Sequence, residues 1–376
     1  MKNSGAKRLL FLIVLVSIML AVLLSVFNTT IIALAKTPDY YTVYTQDGEE
    51  LCTRGEEEVE VGESYISYNN KKYEIVEVDK ISKKCKAKYV EDVKMPDMSI
   101  NGIMASSLIL LDKSAALYIT HNDESYIPTD GTESIYGAGG IHDVAKAFAD
   151  ALRNEGFIVT LDETLHLPHD NSAYRRSRTT ADKLIKENDP DVIFDIHRDG
   201  APRRIYDTVV GGEPMSKVRI VVGKGNESFD DNYQFALEIK ALADEWYPGL
   251  IADVYMGAGD YNQDLLGQGL LLEFGSEEIE KELALKSVVP MATVINGVLQ
   301  RRAVQASYTR PANNVNLFLN IQNGTAGNSA IFNLLLLVGV FVILFSVLIL
   351  INKKIRSWTS NFFTSIGKGL FFTRKY

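Results

Sequence analysis

Three acid, base or metal-binding side chains stand at the ends of short apolar runs, and a fourth follows close behind one of them. His121 follows Ala115 to Thr120, His197 lies near the end of the run Asp191 to Asp199, and Glu273 follows three leucines, Leu270 to Leu272. Glu124 comes three residues after His121, so both side chains can turn toward one point. Two imidazoles and a carboxylate suit a catalytic zinc ion, which takes three nitrogen or oxygen ligands and keeps one position for water. A carboxylate at the position of Glu273 could take the water's proton and return it to a leaving amine. With only Cys52 and Cys85 in the chain, a structural thiolate zinc site is excluded.

Each of these residues has a plainer alternative. His142, at the start of a helical segment, competes with Glu124 for the second ligand position, and the sequence leaves both open. Arg198, next to His197, could bind an anionic group or stabilise an oxyanion, or simply pair with Asp195, Asp199 or another acid. Glu273 could pair with a neighbouring arginine. His166 and His169 flank Pro168 in a loop and are read as loop histidines with at most a substrate contact. The turn Gly137 to Gly140 lacks the strand–glycine–helix setting of a phosphate cradle. His197-Arg198-Asp199 is not a kinase triplet, because Arg204 stands where that motif needs Asn.

The elements that must position these groups follow from periodicity. Asp195 and His197 are two apart, so a strand puts them on one face. Apolar strand-like runs at 115–120, 157–160, 191–199, 218–222, 251–255 and 270–275 alternate with helical patterns at 141–155, 174–186, 231–246 and 277–303. That alternation predicts an α/β domain over residues 103–306, with a mainly parallel sheet covered by helices on both faces. Its chemistry should sit at the C-terminal strand edge. Residues 37–98 read as a small β-rich module with strands near 40–44, 58–61 and 73–78; they hold no histidine and are assigned a spacer or docking role.

The chain has 376 residues, 46% of them hydrophobic, enough for one large domain with accessories. A net charge of -9 excludes a nucleic-acid partner, since nothing supplies a basic groove. Two apolar runs, 9–27 and 331–351, reach the roughly 20 residues that span a bilayer. Basic residues flank both, which places those flanks in the cytoplasm and the intervening chain outside. Residues 1–36 are thus expected to form an anchor, with cleavage after Ala33-Leu34-Ala35 as the rival reading. Residues 307–330 read as a linker, and 352–376 as a basic, aromatic tail lying on anionic lipid. Cys52 and Cys85 are either bonded or simply buried.

The stretches His121 to Pro128, Tyr174 to Arg178, Phe194 to Asp199, Tyr261 to Asp264 and Leu271 to Gly275 jointly resemble the stage II sporulation protein P family. These are membrane-anchored peptidoglycan hydrolases of endospore-forming bacteria, related to zinc amidases with the phosphorylase/hydrolase-like α/β fold. The resemblance implies metal binding by His121 and His197 and catalysis by Glu273. Glu124 matches the family's motif, and His142 stands where related amidases carry a glutamate ligand. It further implies cleavage of the muramoyl–L-alanine amide and of stem-peptide cross-links during engulfment, alongside stage II sporulation proteins D and M. The second span and aromatic tail depart from the family's pattern. The rival class is a membrane-tethered wall-binding scaffold on a retired hydrolase fold, which predicts missing ligands.

Overall fold

The computed structural model describes residues 40–55, 59–99, 112–170 and 172–309, with isolated positions 17 and 19. Apart from positions 17 and 19, the expected spans at 9–27 and 331–351 and the basic tail lie outside the described residues. Among the described residues, one helix is long and apolar enough to cross a membrane, and 61% of its apolar window is buried inside the molecule.

Five strands come first: β1 (Tyr41–Thr45), β2 (Glu50–Arg54), β3 (Ser64–Ile66), β4 (Lys71–Asp79) and β5 (Lys84–Asp92). The α/β portion follows: β6 (Lys113–Tyr118), α1 (Ile127–Asp130), α2 (Ile141–Asn154), β7 (Phe157–Leu161), α3 (Ala173–Asn188) and β8 (Val192–Asp199). Then come α4 (Arg203–Tyr206), the hairpin β9 (Asp207–Val210) and β10 (Glu213–Ser216), β11 (Val218–Gly223), α5 (Phe229–Trp246), β12 (Ile251–Gly257), β13 (Gly269–Ser276) and α6 (Lys281–Thr309).

Eleven strands form one sheet in the order β2-β1-β5-β4-β3-β12-β11-β13-β8-β6-β7. The expected mainly parallel sheet is corrected to a mixed one. β13, β8, β6 and β7 run parallel, but β11 and β12 are reversed against β13, and β3 pairs antiparallel to β12. The connections explain the reversal. Parallel neighbours need a crossover, usually a helix. Between β8 and β11 the chain makes only a four-residue helix and a small hairpin, and between β12 and β13 only a loop with one short 3-10 turn at Gln263–Leu265. The N-terminal strands are not separate from this sheet, because β3 continues it through β12.

Alternation along each strand sorts the side chains. Phe194, Ile196, Leu270, Leu272, Phe274, Ile220 and Val222 pack with α2, α5 and α6 in the main core. The intervening residues are polar yet buried: Asp195, His197, Asp199, Arg219, Asp253 and Glu273. Helices thus cover both faces, three on the apolar side and α3 on the other, against Ala116, Tyr118 and Ile193.

The five N-terminal strands curl over this polar face. Tyr255 of β12 belongs to their cluster of Tyr41, Val43, Cys52, Ile75, Cys85 and Ala87. Both cysteines are free and buried. Val43 of β1 is in register with Cys52 on one side and Cys85 on the other. The two thiols are therefore two strands apart, about 9 Å, beyond the reach of a disulfide.

Candidate metal centre

β6 and β8 are adjacent and parallel, so both release their C-terminal ends at one sheet edge. Asp195 ties the two together there. Its carboxylate accepts the Thr120 N–H at 2.9 Å and the Thr120 hydroxyl at 2.6 Å. His121 follows at once, and the chain turns so that Glu124 N–H donates to His121 O.

That turn is locked from two sides. Arg198 N–H donates to Glu124 Oε2 at 2.8 Å, and its guanidinium donates to Ser125 O and Glu133 O. On the other side Gly139 N–H donates to Asn122 O, and Ile141 N–H to Glu124 O. A Cβ at Gly139 would overlap the Glu124 carbonyl oxygen. The glycine-rich turn therefore serves close backbone packing against the Glu124 turn.

The outcome is a tight cluster. Ligand atoms of His121, Glu124 and His197 all lie within 4.8 Å of one another. Nδ1 of His121 and Nδ1 of His197 each stand 3.1 Å from the same oxygen, Glu124 Oε1. His197 Nε2 is 3.0 Å from Asp195 Oδ1 but poorly aligned, and forms no hydrogen bond. A carboxylate behind the far nitrogen of a metal-binding histidine is the usual outer-shell arrangement. Three converging donors of the type zinc takes, Nδ1 of each imidazole and the Glu124 carboxylate, fit a resident metal ion.

The electrostatics say the same. Burial pushes the His121 imidazolium down to about 4, helped by its neighbour His197. Burial also works against His197, yet Asp195 and Glu124 overcome it and lift His197 to about 10. Both rings touch Glu124, but His197 alone has a second carboxylate, so the one proton the cluster retains resides on His197. Glu124 is held well below the usual carboxylate range despite burial, chiefly by His197 and His121. With His197 protonated the cluster pairs one cation with the Glu124 carboxylate, and loss of that proton would leave two neutral imidazoles and a carboxylate, a donor set suited to a divalent cation.

His142 is placed elsewhere. Its Nδ1 lies 2.9 Å from Glu163, in a cavity of about 460 Å³ lined also by Asp130, Lys146 and Lys281. His166 is buried, bonded to Ile119 O and Thr180 Oγ1. His169 stacks on the His121 ring at 3.8 Å and reaches Asp123 at 2.9 Å, so it borders the cluster directly. Tyr174 stands at 5.3 Å from the His121 ring and at 5.3 Å from Tyr261.

Glu273 is in register with His197 on the adjacent strand, which sets its side chain on the same polar face. Arg54 Nη1 donates to its Oε1 at 2.7 Å, and the Tyr206 hydroxyl donates toward its Oε2 at 3.0 Å. Arg219 pairs with Asp253 and Asp199 and comes within 3.6 Å of Glu273. Arg219 had a signal in the sequence: a lone cation inside the apolar run 218–222 needs buried acids. Arg54, Asp253 and Tyr206 had none.

The family model described as Stage II sporulation protein P (SpoIIP) matches residues 28–296. The chain belongs to the stage II sporulation protein P family. Stage II sporulation protein P of Bacillus subtilis (strain 168) is 34% identical over 181 residues, 43% of this chain and 45% of that protein. The match thus spans less than half of that relative's length. Among solved structures, the CwlD amidase of Clostridioides difficile, in complex with the GerS lipoprotein, is 12% identical, covers 51% of this chain and 99% of its own, and has a TM-score of 0.36. The N-acetylmuramyl-L-alanine amidase Ami1 of Mycobacterium smegmatis is 17% identical, with coverage of 50% and 96% and a TM-score of 0.33. Likeness at that level says nothing of chemistry, and the metal site rests on the side chains of this chain.

Proposed function

We propose that this family member is a zinc-dependent peptidoglycan hydrolase that cleaves the muramoyl–L-alanine amide, and stem-peptide cross-links as well, during engulfment. The observation that carries this is the convergence of His121, Glu124 and His197 beside a buried carboxylate, Glu273. A bound zinc ion would polarise the scissile carbonyl and lower the pKa of water to about 7. The chain's own groups divide the remaining tasks.

Glu273 receives the proton of the attacking water and returns it to the leaving amine. Asp195, 3.0 Å from Nε2, holds the His197 ring through charge. Arg198 acts through Glu124: its N–H holds the carboxylate and its guanidinium holds the turn. His169 and Tyr174 wall the approach to His121.

The setting that goes with this activity is extracytoplasmic. Residues 9–27 and 331–351 tether the chain to the cell membrane, where it works in a complex with stage II sporulation proteins D and M. The rival reading, a wall-binding scaffold, keeps sacculus binding without turnover.

The test uses the full chain in detergent, loaded with zinc and mixed with purified sacculi. Mass analysis should find free stem peptides. His197→Ala should lose both zinc and release, by a factor of about 10³ or more if a transition-state contact is removed. Sacculus binding with no released fragment from zinc-loaded wild type would leave the scaffold reading standing.

A further inference from the structure

We infer that Arg54, on the N-terminal strand β2, is a positioning residue for Glu273, so that the N-terminal strands complete the reaction site. This rests on the reading of Glu273 as the proton-transferring carboxylate.

Topology makes the contact informative. β2 is the edge strand, and six strands lie between it and β13 in the sheet. In a flat sheet that separation is about 33 Å, at roughly 4.7 Å per strand. Arg54 Nη1 is nevertheless 2.7 Å from Glu273 Oε1, with both side chains buried. The sheet has to coil back on itself to bring the pair together, and the coil has dedicated fittings. The Arg54 guanidinium lies 4.6 Å over the Tyr255 ring. Gly55 N–H donates to Asp199 Oδ1 at 3.1 Å. A Cβ on Gly55 would overlap the backbone of Gly200 and the Asp199 carboxylate, so glycine permits this approach. On the far side of the following loop, Glu63 accepts the Tyr255 hydroxyl at 2.6 Å and Ala258 N–H at 2.9 Å.

The charge pattern gives the contact its purpose. Asp199, Asp253 and Glu273 are three buried carboxylates, and Arg54 and Arg219 are the two buried guanidiniums facing them. Arg219 is bidentate on Asp253 and also bonded to Asp199, which leaves Glu273 at 3.6 Å. Arg54 is therefore the cation that fixes Glu273. A carboxylate offers about four acceptor positions. Arg54 takes one, and the Tyr206 hydroxyl, shared with Asp199 Oδ2 at 2.9 Å, reaches a second, which leaves acceptor capacity for water. Without Arg54, Glu273 and Asp199 would face each other across a single shared arginine, and a buried carboxylate without its partner is strongly destabilised.

The experiment is a kinetic cycle on the full chain in detergent, with zinc content and melting temperature measured on every variant. Arg54→Met should lower kcat by about 100-fold, the scale of a small misplacement of a reacting group. KM should stay within about twofold and zinc content should be native. Arg54→Lys keeps the charge and should recover about tenfold of the loss. Arg54→Gln serves where the Met variant does not accumulate. The double variant Arg54→Met/Glu273→Gln should be no slower than Glu273→Gln alone, because the two act as one unit. Wild-type or raised kcat in folded, zinc-loaded Arg54→Met, or additive losses in the double variant, would overturn the inference. Full turnover in Glu273→Gln would instead overturn the role given to Glu273.

Discussion

At the scale of single residues, the central fact is one carboxylate oxygen shared by two imidazoles. Glu124 Oε1 stands 3.1 Å from each ring. In the proposed metal site the proton on His197 would stand where the ion binds, so metal binding would expel it. His197 is lifted to about 10, hence protonated in the metal-free site at neutral pH. Each metal bound should release roughly one proton, and affinity should fall about tenfold per pH unit as the medium is acidified below neutrality. Zinc titrations between pH 6 and pH 8 check this; a flat profile would contradict it. Asp195→Asn removes the carboxylate behind His197 while keeping its size, and should weaken zinc about 10–100-fold, the usual outer-shell effect. The cysteines give a separate check. Burial pushes the Cys85 thiol up to about 12 and the Cys52 thiol up as well. Thiol-reagent counts should find no reactive thiol in the native protein and two after denaturation, even after oxidation in air.

At the scale of elements, positions in the sheet decide what the sequence could reveal. β8 and β13 were legible because alternation in 192–199 and the three leucines before Glu273 mark buried strands. Their ends delivered His197 and Glu273 as expected, next to each other in register. β6 likewise placed His121. The choice between Glu124 and His142 was not legible, because spacing puts both within reach of His121. The close turn packing of Gly139 and the clamp by Arg198 bring Glu124 to His121 and His197, while His142 faces Glu163, which favours Glu124 in the proposed site. Gly139→Ala should therefore damage the site from outside it, costing zinc affinity while α2 stays folded. Direct zinc titration alongside helix content by circular dichroism checks that, and unchanged affinity would refute the packing argument. Of the strand expected at 58–61, the described residues 59–61 form none; Val61 and Gly62 make a turn and β3 begins at Ser64. β5 escaped notice because only Cys85 and Ala87 are buried among its exposed residues, and β2 because the residues it buries include the polar Thr53 and Arg54.

At the scale of the whole molecule, the sheet is both scaffold and cover. One face buries an apolar core against three helices, and the other buries a charged layer beneath its own N-terminal strands. The mixed topology was hidden because strand direction follows from connections, and a four-residue helix reads much like a loop in the sequence. The coil that brings β2 over β13 leaves no local mark at all, which is why residues 37–98 read as a spacer. Deleting residues 40–92 should open Arg219, Asp253 and Tyr255 to water and strip β12 of its neighbour β3. The shortened chain should lose its cooperative melt rather than behave as an independent hydrolase; retained melting and turnover would show that the strands are dispensable.

Zinc-edge anomalous scattering from crystals of the zinc-loaded protein tests the central claim most directly. The account predicts one peak at about 2.0–2.2 Å from an imidazole nitrogen of His121, an imidazole nitrogen of His197 and a carboxylate oxygen of Glu124. A peak at His142 and Glu163 instead, or no peak at the His121 cluster at stoichiometric zinc, would contradict it.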